Sequence, residues 1–196
     1  ELGNPTGQLT CSGSTCWQDF ANGTIYWHPT RGTYAVYGDM RTEYQRVSGP
    51  LGFPASVRMC GTAGGGCVQN FEGGTIYWKP GVGAFATYGD IRREYWRLNA
   101  WEGPLGNPSG VLTCLSGGEG CVQNFEKGTI YWSPTAGAFG VIGELRTEYW
   151  RLNAWEGPLG FPTSIRWCGV AGNACVQNFK GGTIYSRPGL GTHAVM

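Results

Sequence analysis

The chain has 196 residues and a net charge of +1, with 35 glycines, nine tryptophans and 14% charged residues. Its length is sufficient to bury a core without metal ions. The many aromatic residues exclude a disordered chain, and glycines without a strict period exclude collagen. The sequence has no cluster of lysines and arginines and no apolar run long enough to span a bilayer, so we expect neither a nucleic-acid partner nor a membrane span.

The predicted elements are clearest over residues 51–104. A turn at Leu51 precedes an alternating strand at 56–59 and a loop bounded by cysteines. Three further strands follow, at 67–71, 75–78 and 84–87. A short helix with one apolar stripe begins at Gly89, and we expect Asp90 to be its N-cap.

The same pattern occurs four times, because Leu-Gly-x-Pro begins at Leu2, Leu51, Leu105 and Leu159. A period of about 50 residues is typical of repeat proteins, whose neighbouring repeats bury each other's faces. We predict a single repeat domain over 1–196, β-rich, with short antiparallel strands joined by short helices. A compact pseudo-symmetric array is favoured because an open rod would expose strand edges. The repeats are 1–50, 51–104, 105–158 and 159–196, and we expect the last to end before its helix.

Eight cysteines form four local pairs, which are Cys11 with Cys16, Cys60 with Cys67, Cys114 with Cys121 and Cys168 with Cys175. Zinc sites have closer spacings and further ligands, and His28 and His193 are the only histidines. We therefore predict four disulfides and no metal or other cofactor. Disulfides indicate an oxidising compartment, so we expect a secreted or cell-wall-associated protein. The start at Glu1 without a signal peptide fits a processed chain, and Asn22 lies in a predicted glycosylation sequon.

One longer motif identifies the repeat. The run from Gln69 to Pro80, Gln-Asn-Phe-x-Gly-Gly-x-Ile-Tyr-Trp-x-Pro, together with Leu-Gly-Phe-Pro at Leu51 and Leu159, resembles the LGFP repeat family. The resemblance covers essentially the whole chain. It implies a secreted domain that associates with cell-wall polysaccharide. The cysteine pair in every repeat, which the bacterial repeats usually lack, and the sequon are more similar to fungal secreted members.

We predict that this chain is a monomer that binds a cell-wall glycan, such as peptidoglycan, chitin or glucan, without cleaving it. Aromatic rings stack on pyranose faces and amides bind hydroxyl groups, while repeated sites add avidity. Core packing is the alternative role for the strand tryptophans. The predicted contacts are Trp27, Trp78, Trp132, Tyr77, Tyr131, Gln69, Asn70, Gln123, Asn124, Gln177, Asn178, Trp101 and Trp155.

A glycoside hydrolase acting on a wall glycan is the alternative function, and it needs two carboxylates about 5 to 9.5 Å apart. The carboxylates that recur in the helices are interpreted as caps and as partners of arginines. Asp19 is the one catalytic candidate, because it replaces the asparagine of the other three repeats, and His28 and His193 also break the symmetry. A structural or protein-binding scaffold is the second alternative.

Overall fold

The computed structural model describes residues 1–62, 64–170 and 174–196. The described chain contains four antiparallel sheets, and each has four strands paired in chain order and comes from one repeat. The predicted β-rich repeat fold with short connecting helices is therefore confirmed. None of the described helices is long and apolar enough to cross a bilayer.

The strands of each sheet have similar lengths and positions. Sheet 1 contains β1 (Thr10–Ser12), β2 (Thr15–Phe20), β3 (Gly23–His28) and β4 (Gly32–Tyr37). Sheet 2 contains β5 (Met59–Thr62), β6 (Gly66–Asn70), β7 (Gly74–Lys79) and β8 (Gly83–Tyr88). Sheet 3 contains β9 (Thr113–Cys114), β10 (Cys121–Phe125), β11 (Gly128–Ser133) and β12 (Gly137–Ile142). Sheet 4 contains β13 (Trp167–Val170), β14 (Ala174–Phe179), β15 (Gly182–Arg187) and β16 (Gly191–Val195).

Helices connect the sheets, and 3-10 turns follow two of them. The helices are α1 (Asp39–Leu51), α2 (Gly89–Arg97) and α3 (Gly143–Arg151). The 3-10 turns are Ala100–Glu102, Ser116–Gly118 and Ala154–Glu156. The N-cap of α1 is Gly38, with a φ of 61° and no side-chain cap. Asp39 lies in the first turn of α1. The helix α2 begins at Gly89, so Asp90, the predicted N-cap, lies inside its first turn instead.

All four predicted disulfides are present. They join Cys11 to Cys16, Cys60 to Cys67, Cys114 to Cys121 and Cys168 to Cys175. The two cysteines of each bond lie directly opposite each other on adjacent antiparallel strands. In sheet 1, Cys16 lies on β2 and is half-buried, and in sheet 4, Cys175 lies on β14 and is half-buried as well. Each bond therefore fastens the first two strands of its sheet.

The first strand of repeat 2 lies later in the chain than predicted. The prediction placed it at 56–59, whereas β5 covers Met59–Thr62. Because Cys60 pairs with Cys67 across the hairpin, Gly61 and Thr62 belong to the strand. Ser56 instead accepts a hydrogen bond from the backbone N–H of Asn70 through its hydroxyl, at 3.0 Å.

By their contacts the described residues divide into two compact units, unit 1 (Glu1–Gly89) and unit 2 (Asp90–Met196). Each unit contains two sheets, and its core lies between them. In unit 1, Val36 of sheet 1, Met40 of α1 and Ile76 of sheet 2 share one buried cluster. In unit 2, Val141 and Ile184 belong to the corresponding cluster with residues of α3. Within each unit, neighbouring repeats therefore bury each other's faces.

Candidate functional site

Two of the strand tryptophans predicted to bind sugar contact a helix instead. Trp78 Nε1 donates a hydrogen bond to Asp39 Oδ2 at 2.8 Å, and Trp132 Nε1 donates to Asp90 Oδ2 at 2.8 Å. Each acid lies in the helix that precedes the sheet carrying its tryptophan. Trp78 and Trp132 are half-buried and make these packing contacts, whereas Trp27 is 44% exposed. Contact of the three tryptophans with a sugar stays a prediction.

The glutamines predicted to bind hydroxyl groups are buried, so the structure corrects their assignment. Gln69, Gln123 and Gln177 are at most 1% exposed. Gln69 Nε2 donates to the carbonyl oxygens of Ala35 and Ser56, both at 3.0 Å. A ligand could reach these amides only if the sheets separated. Their role is to fasten neighbouring backbone segments.

The asparagines that follow the glutamines support a hairpin. The Oδ1 atoms of Asn70, Asn124 and Asn178 each accept a hydrogen bond at 2.9 Å from the hydroxyl of a threonine on the next strand. In repeat 1, Asp19 keeps this contact, because Thr24 Oγ1 donates to Asp19 Oδ1 at 2.6 Å. Asp19 also pairs with Arg41 at 3.0 Å, and its side chain stays 45% exposed.

The tyrosines Tyr77 and Tyr131 are buried, with exposed fractions of 3% and 0%. They therefore line a core rather than a surface, which corrects their assignment as ligand contacts. Burial raises the pKa of Tyr131 to about 12. Trp155 covers Tyr131, with ring centroids 5.6 Å apart.

The connector tryptophans Trp101 and Trp155 are half-buried and support a more exposed neighbour. Trp96 packs edge-on against Trp101 at 5.9 Å, and Trp150 packs edge-on against Trp155 at 6.3 Å. Trp96 is 45% and Trp150 is 44% exposed. Trp96 and Trp150 were not among the predicted contacts, although their position near the end of each helix, just before the connector, indicates the solvent-facing side of that helix.

An open cleft of about 570 Å³ in unit 1 combines aromatic rings with charged groups. Its aromatic lining is Trp17, Tyr26, Tyr44 and Phe53, and its charged lining is Asp19, Arg31 and Glu72. Arg31 Nε lies 3.1 Å from Glu72 Oε1, and both side chains are more than 40% exposed. The rings are held in place by edge-on packing, with Tyr26 5.3 Å from Tyr44 and 6.5 Å from Phe53.

Three residues that distinguish repeat 1 from the other repeats line this cleft, and a fourth packs next to it. Trp17 occupies the position of Val68, Val122 and Val176, and Arg31 occupies that of Val82, Ala136 and Leu190. Asp19 lines the cleft, and His28 packs edge-on against Phe53 at 5.8 Å. Asp19 and His28 were predicted to break the symmetry of the repeats, whereas Trp17 and Arg31 were not among the predicted site residues. A position-by-position comparison of the four repeats would have found both.

A shorter connector in repeat 1 changes the lining of the cleft. The exit of repeat 1 lacks three residues of the Trp-Arg-Leu-Asn-Ala-Trp-Glu segment found in repeats 2 and 3. In unit 2 that segment places Trp155 over Tyr131, whereas Tyr26, at the same position in repeat 1, lines the cleft. The corresponding groove of unit 2, about 590 Å³, is lined by Trp155, Phe161 and Lys180 instead.

The charged groups that line the cleft form ion pairs. Both of its carboxylates are paired with arginines, Asp19 with Arg41 and Glu72 with Arg31. Burial raises the pKa of Tyr26, so its phenol stays protonated at neutral pH. The site thus presents ring faces, carboxylate acceptors and guanidinium donors with balanced charge.

Comparisons with known proteins agree with the repeat organisation. The family model described as LGFP repeat matches four stretches of the chain, residues 2–50, 51–103, 105–157 and 159–196. Each match contains one of the four sheets. A search of curated proteins finds no significant match.

Proposed function

We propose that this chain, which belongs to the LGFP repeat family, binds a neutral cell-wall polysaccharide without cleaving it, through the cleft of unit 1. One observation carries the proposal. Trp17, Asp19 and Arg31, which set repeat 1 apart from the other repeats, all line the same cleft. Divergence at the residues of one cavity, on an otherwise repeated framework, is what a dedicated ligand site requires.

The lining suits a sugar ring. Trp17, Tyr26 and Phe53 offer apolar ring surface for the C–H face of a pyranose. Asp19 and Glu72 accept hydrogen bonds from hydroxyl groups, and Arg31 donates to hydroxyl or carbonyl oxygens. The cleft volume of about 570 Å³ falls within the range of small-molecule sites, about 300–1,000 Å³.

The groove of unit 2 provides a second, weaker contact for the same polymer. It keeps Phe161 at the position of Phe53 and adds Trp155. Two sites on one chain raise the avidity for an insoluble glycan well above either single affinity when both reach the polymer. This arrangement favours retention on a wall over tight capture of a free sugar.

The proposed location is the extracellular wall. Four disulfides fit an oxidising compartment. Asn22 of the sequon is exposed in the turn from β2 to β3, where a glycan could be attached. Mass measurement of the secreted protein before and after glycosidase treatment tests this attachment.

Co-sedimentation with insoluble peptidoglycan, chitin and β-glucan tests the proposal. Trp17→Val and Arg31→Val introduce a residue that the other repeats carry at that position, so both variants should fold. We expect saturable binding to one polymer and about a tenfold weaker affinity for Trp17→Val, since stacking on an aromatic ring contributes about 0.5–1.5 kcal/mol beyond the area that it buries. Trp167→Val, which removes a tryptophan that is 63% exposed, is the matched control and should bind normally.

Two results would contradict the proposal. Unchanged sedimentation of both variants would exclude the cleft, and no sedimentation on any polymer would leave the scaffold alternative. Reducing ends are measured in the same supernatants. Their time-dependent release, abolished by Asp19→Asn, would establish the hydrolase alternative, since Asn is native at this position in the other repeats.

A further inference from the structure

An arginine lies next to a disulfide sulfur in two of the four repeats. Arg58 Nη2 donates to Cys67 Sγ at 3.3 Å, and Arg166 Nη2 donates to Cys175 Sγ at 3.1 Å. In the sequence, each arginine comes two residues before the first cysteine of its pair. The disulfides of repeats 2 and 4 therefore have a permanent positive charge beside one of their sulfur atoms.

Repeats 1 and 3 have leucine at the position of the arginine. These residues are Leu9 and Leu112. The four disulfides otherwise share one arrangement, since each joins two cysteines that lie opposite each other on the first two strands of a sheet. The chain thus contains two disulfides beside a guanidinium group and two matched disulfides beside a leucine.

The half-buried Arg58 has no acidic partner. Its guanidinium carbon lies 4.9 Å from the ring centroid of Tyr37 and 5.2 Å from that of Trp78. Among the described residues, its Nε is buried without a hydrogen-bond partner, and none of the ion pairs includes it. A cation in such surroundings stabilises an anion that forms beside it. The neighbouring atom is Cys67 Sγ, which becomes a thiolate when the disulfide opens.

The two sulfur atoms of this disulfide differ in their access to solvent. Cys60 is exposed on β5, whereas Cys67 on β6 is only 4% exposed. An attacking thiolate therefore reaches Cys60 Sγ, and Cys67 Sγ is the atom that leaves. Thiol–disulfide exchange is fast when the attacked sulfur is accessible and the departing thiolate is stabilised. Arginine stabilises a neighbouring thiolate, so Arg58 lies at the atom where the charge develops.

We propose that the Cys60–Cys67 disulfide is an exchange site at which a low-molecular-weight thiol becomes covalently attached to Cys60. The thiol loses its proton to water, and its thiolate attacks Cys60 Sγ. A disulfide forms between these two sulfur atoms, the Cys60–Cys67 bond breaks, and its electron pair remains on Cys67 as a thiolate beside Arg58. The sulfur of the incoming thiol is oxidised and Cys67 is reduced, so the step needs no further oxidant.

Repeat 4 contains a weaker form of the same site. Arg166 is exposed, so water and salt screen its charge more strongly than that of the half-buried Arg58. Ser186 occupies the position of Trp78 in this repeat, and Ile142 occupies that of Tyr37. Exchange at repeat 4 should therefore be slower than at repeat 2.

Incubation of the folded protein with reduced glutathione tests the proposal. Free thiols are blocked with N-ethylmaleimide at successive times, and peptide mapping by mass spectrometry locates both labels. We expect glutathione on Cys60 and maleimide on Cys67. The rate should exceed that at the disulfides of repeats 1 and 3 by at least about threefold, the factor that a Brønsted coefficient of about 0.4–0.5 gives for one unit of thiol pKa.

Three variants separate the effect of the charge from that of packing. Arg58→Leu introduces the residue of repeats 1 and 3, and it should slow attachment at Cys60 by at least about threefold. Arg58→Lys keeps the positive charge and should retain the faster rate. Leu9→Arg changes a side chain that is 64% exposed, and it should accelerate attachment at Cys11 by a similar factor.

A role of Arg58 in packing alone predicts the opposite sign. Loss of its ring contacts would loosen the sheet and expose the disulfide, so exchange in Arg58→Leu would become faster. Faster or unchanged exchange in Arg58→Leu, glutathione on Cys67 instead of Cys60, or an unchanged rate in Leu9→Arg would each overturn the proposal. Neither Cys60 nor Cys67 lines the cleft of unit 1, so this test is independent of polysaccharide binding.

Discussion

At the scale of single residues, the position of Asp19 shows how a supporting side chain acquires a second role. Its counterparts Asn70, Asn124 and Asn178 use one oxygen to bind a threonine on the next strand. Asp19 binds Thr24 with the same atom and adds a charge that Arg41 pairs. Asp19 keeps the hairpin contact and adds a charged hydrogen-bond acceptor to the cleft lining. Asp19→Asn should therefore leave the free energy of unfolding nearly unchanged.

The buried glutamines should be sensitive to substitution by a residue of similar size. Gln177 Nε2 donates to the carbonyl oxygens of Gly140 and Ser164 at 3.1 and 3.0 Å. Gln177→Leu leaves both carbonyls unpaired, and we expect the free energy of unfolding to fall by about 1–3 kcal/mol. Urea denaturation measures this change.

Gln18 is the control for that prediction. It lies at the same position in sheet 1, is only half-buried and makes one hydrogen bond, to the carbonyl of Gly7 at 3.2 Å. Gln18→Leu should therefore cost no more than about 0.5 kcal/mol, as is usual for substitutions outside the core. Equal losses for the two variants would contradict the role assigned to Gln177.

At the scale of elements, an ion pair on α3 couples its helix to sheet 4. Arg151 binds both carboxylate oxygens of Glu148, at 2.7 and 2.8 Å. This contact lowers the pKa of Glu148 below its ordinary value. The charged carboxylate also accepts from the backbone of Ala194, so its ionisation supports helix and strand together.

The lowered pKa of Glu148 predicts a loss of stability in acid. Because the folded state has the lower pKa, the stabilisation is complete above the unfolded value of about 4.3 and is lost as the pH falls through the folded value. Melting temperatures measured from pH 6 to pH 2.5 should fall more steeply for the wild type than for Glu148→Gln. Parallel curves would show that Glu148 does not contribute.

Local patterns predicted the elements well where they depend on neighbours in sequence. The strands near 67–71, 75–78 and 84–87 are confirmed within about two residues, as β6, β7 and β8. The strand at 56–59 was misplaced, because its position is set by the pairing of Cys60 with Cys67 across a hairpin. The alternation of polar and apolar residues does not predict which residues pair across a hairpin.

At the scale of the whole molecule, the candidate site depends on packing that could not be predicted from the sequence. The number of repeats and the cysteine pairs could be predicted from residue spacing alone. The burial of Gln69 and Tyr77 was not, since it depends on which sheet covers which face. The presence of Tyr26 in the cleft lining goes with three residues missing from one connector, and this effect is visible only when the surroundings of Tyr26 and Tyr131 are compared in the structure.

The four disulfides should resist alkylation and contribute to stability. Each closes a short loop, and chain entropy predicts about 2–2.5 kcal/mol per bridge. We expect no labelled cysteine by mass spectrometry without a reductant and eight after reduction and denaturation. Reduction should also lower the urea midpoint. Labelling of all eight thiols in the untreated protein would contradict the assignment.

The buried tyrosine phenols predict that the protein also loses stability at alkaline pH. Burial raises the pKa of Tyr131 to about 12, above the ordinary value of about 10. Stability is therefore complete below pH 10 and is lost as the pH rises towards 12, because the unfolded chain ionises first. Circular dichroism should show unfolding in this range, and Tyr131→Phe should shift its midpoint upward. An unchanged midpoint in that variant would count against Tyr131.

The glutamates of the helices also bear on how the protein behaves in a concentrated solution. Each sheet ends in an edge strand, and a bare edge recruits strands from other molecules and starts aggregation. Glu43 and Glu94 block the central N–H of such edges at Ala86 and Gly140. On β4, Gln69 protects the carbonyl of Ala35 but no carboxylate in the described part of unit 1 covers its N–H. We therefore expect β4 to recruit strands from other molecules more readily than β8 or β12.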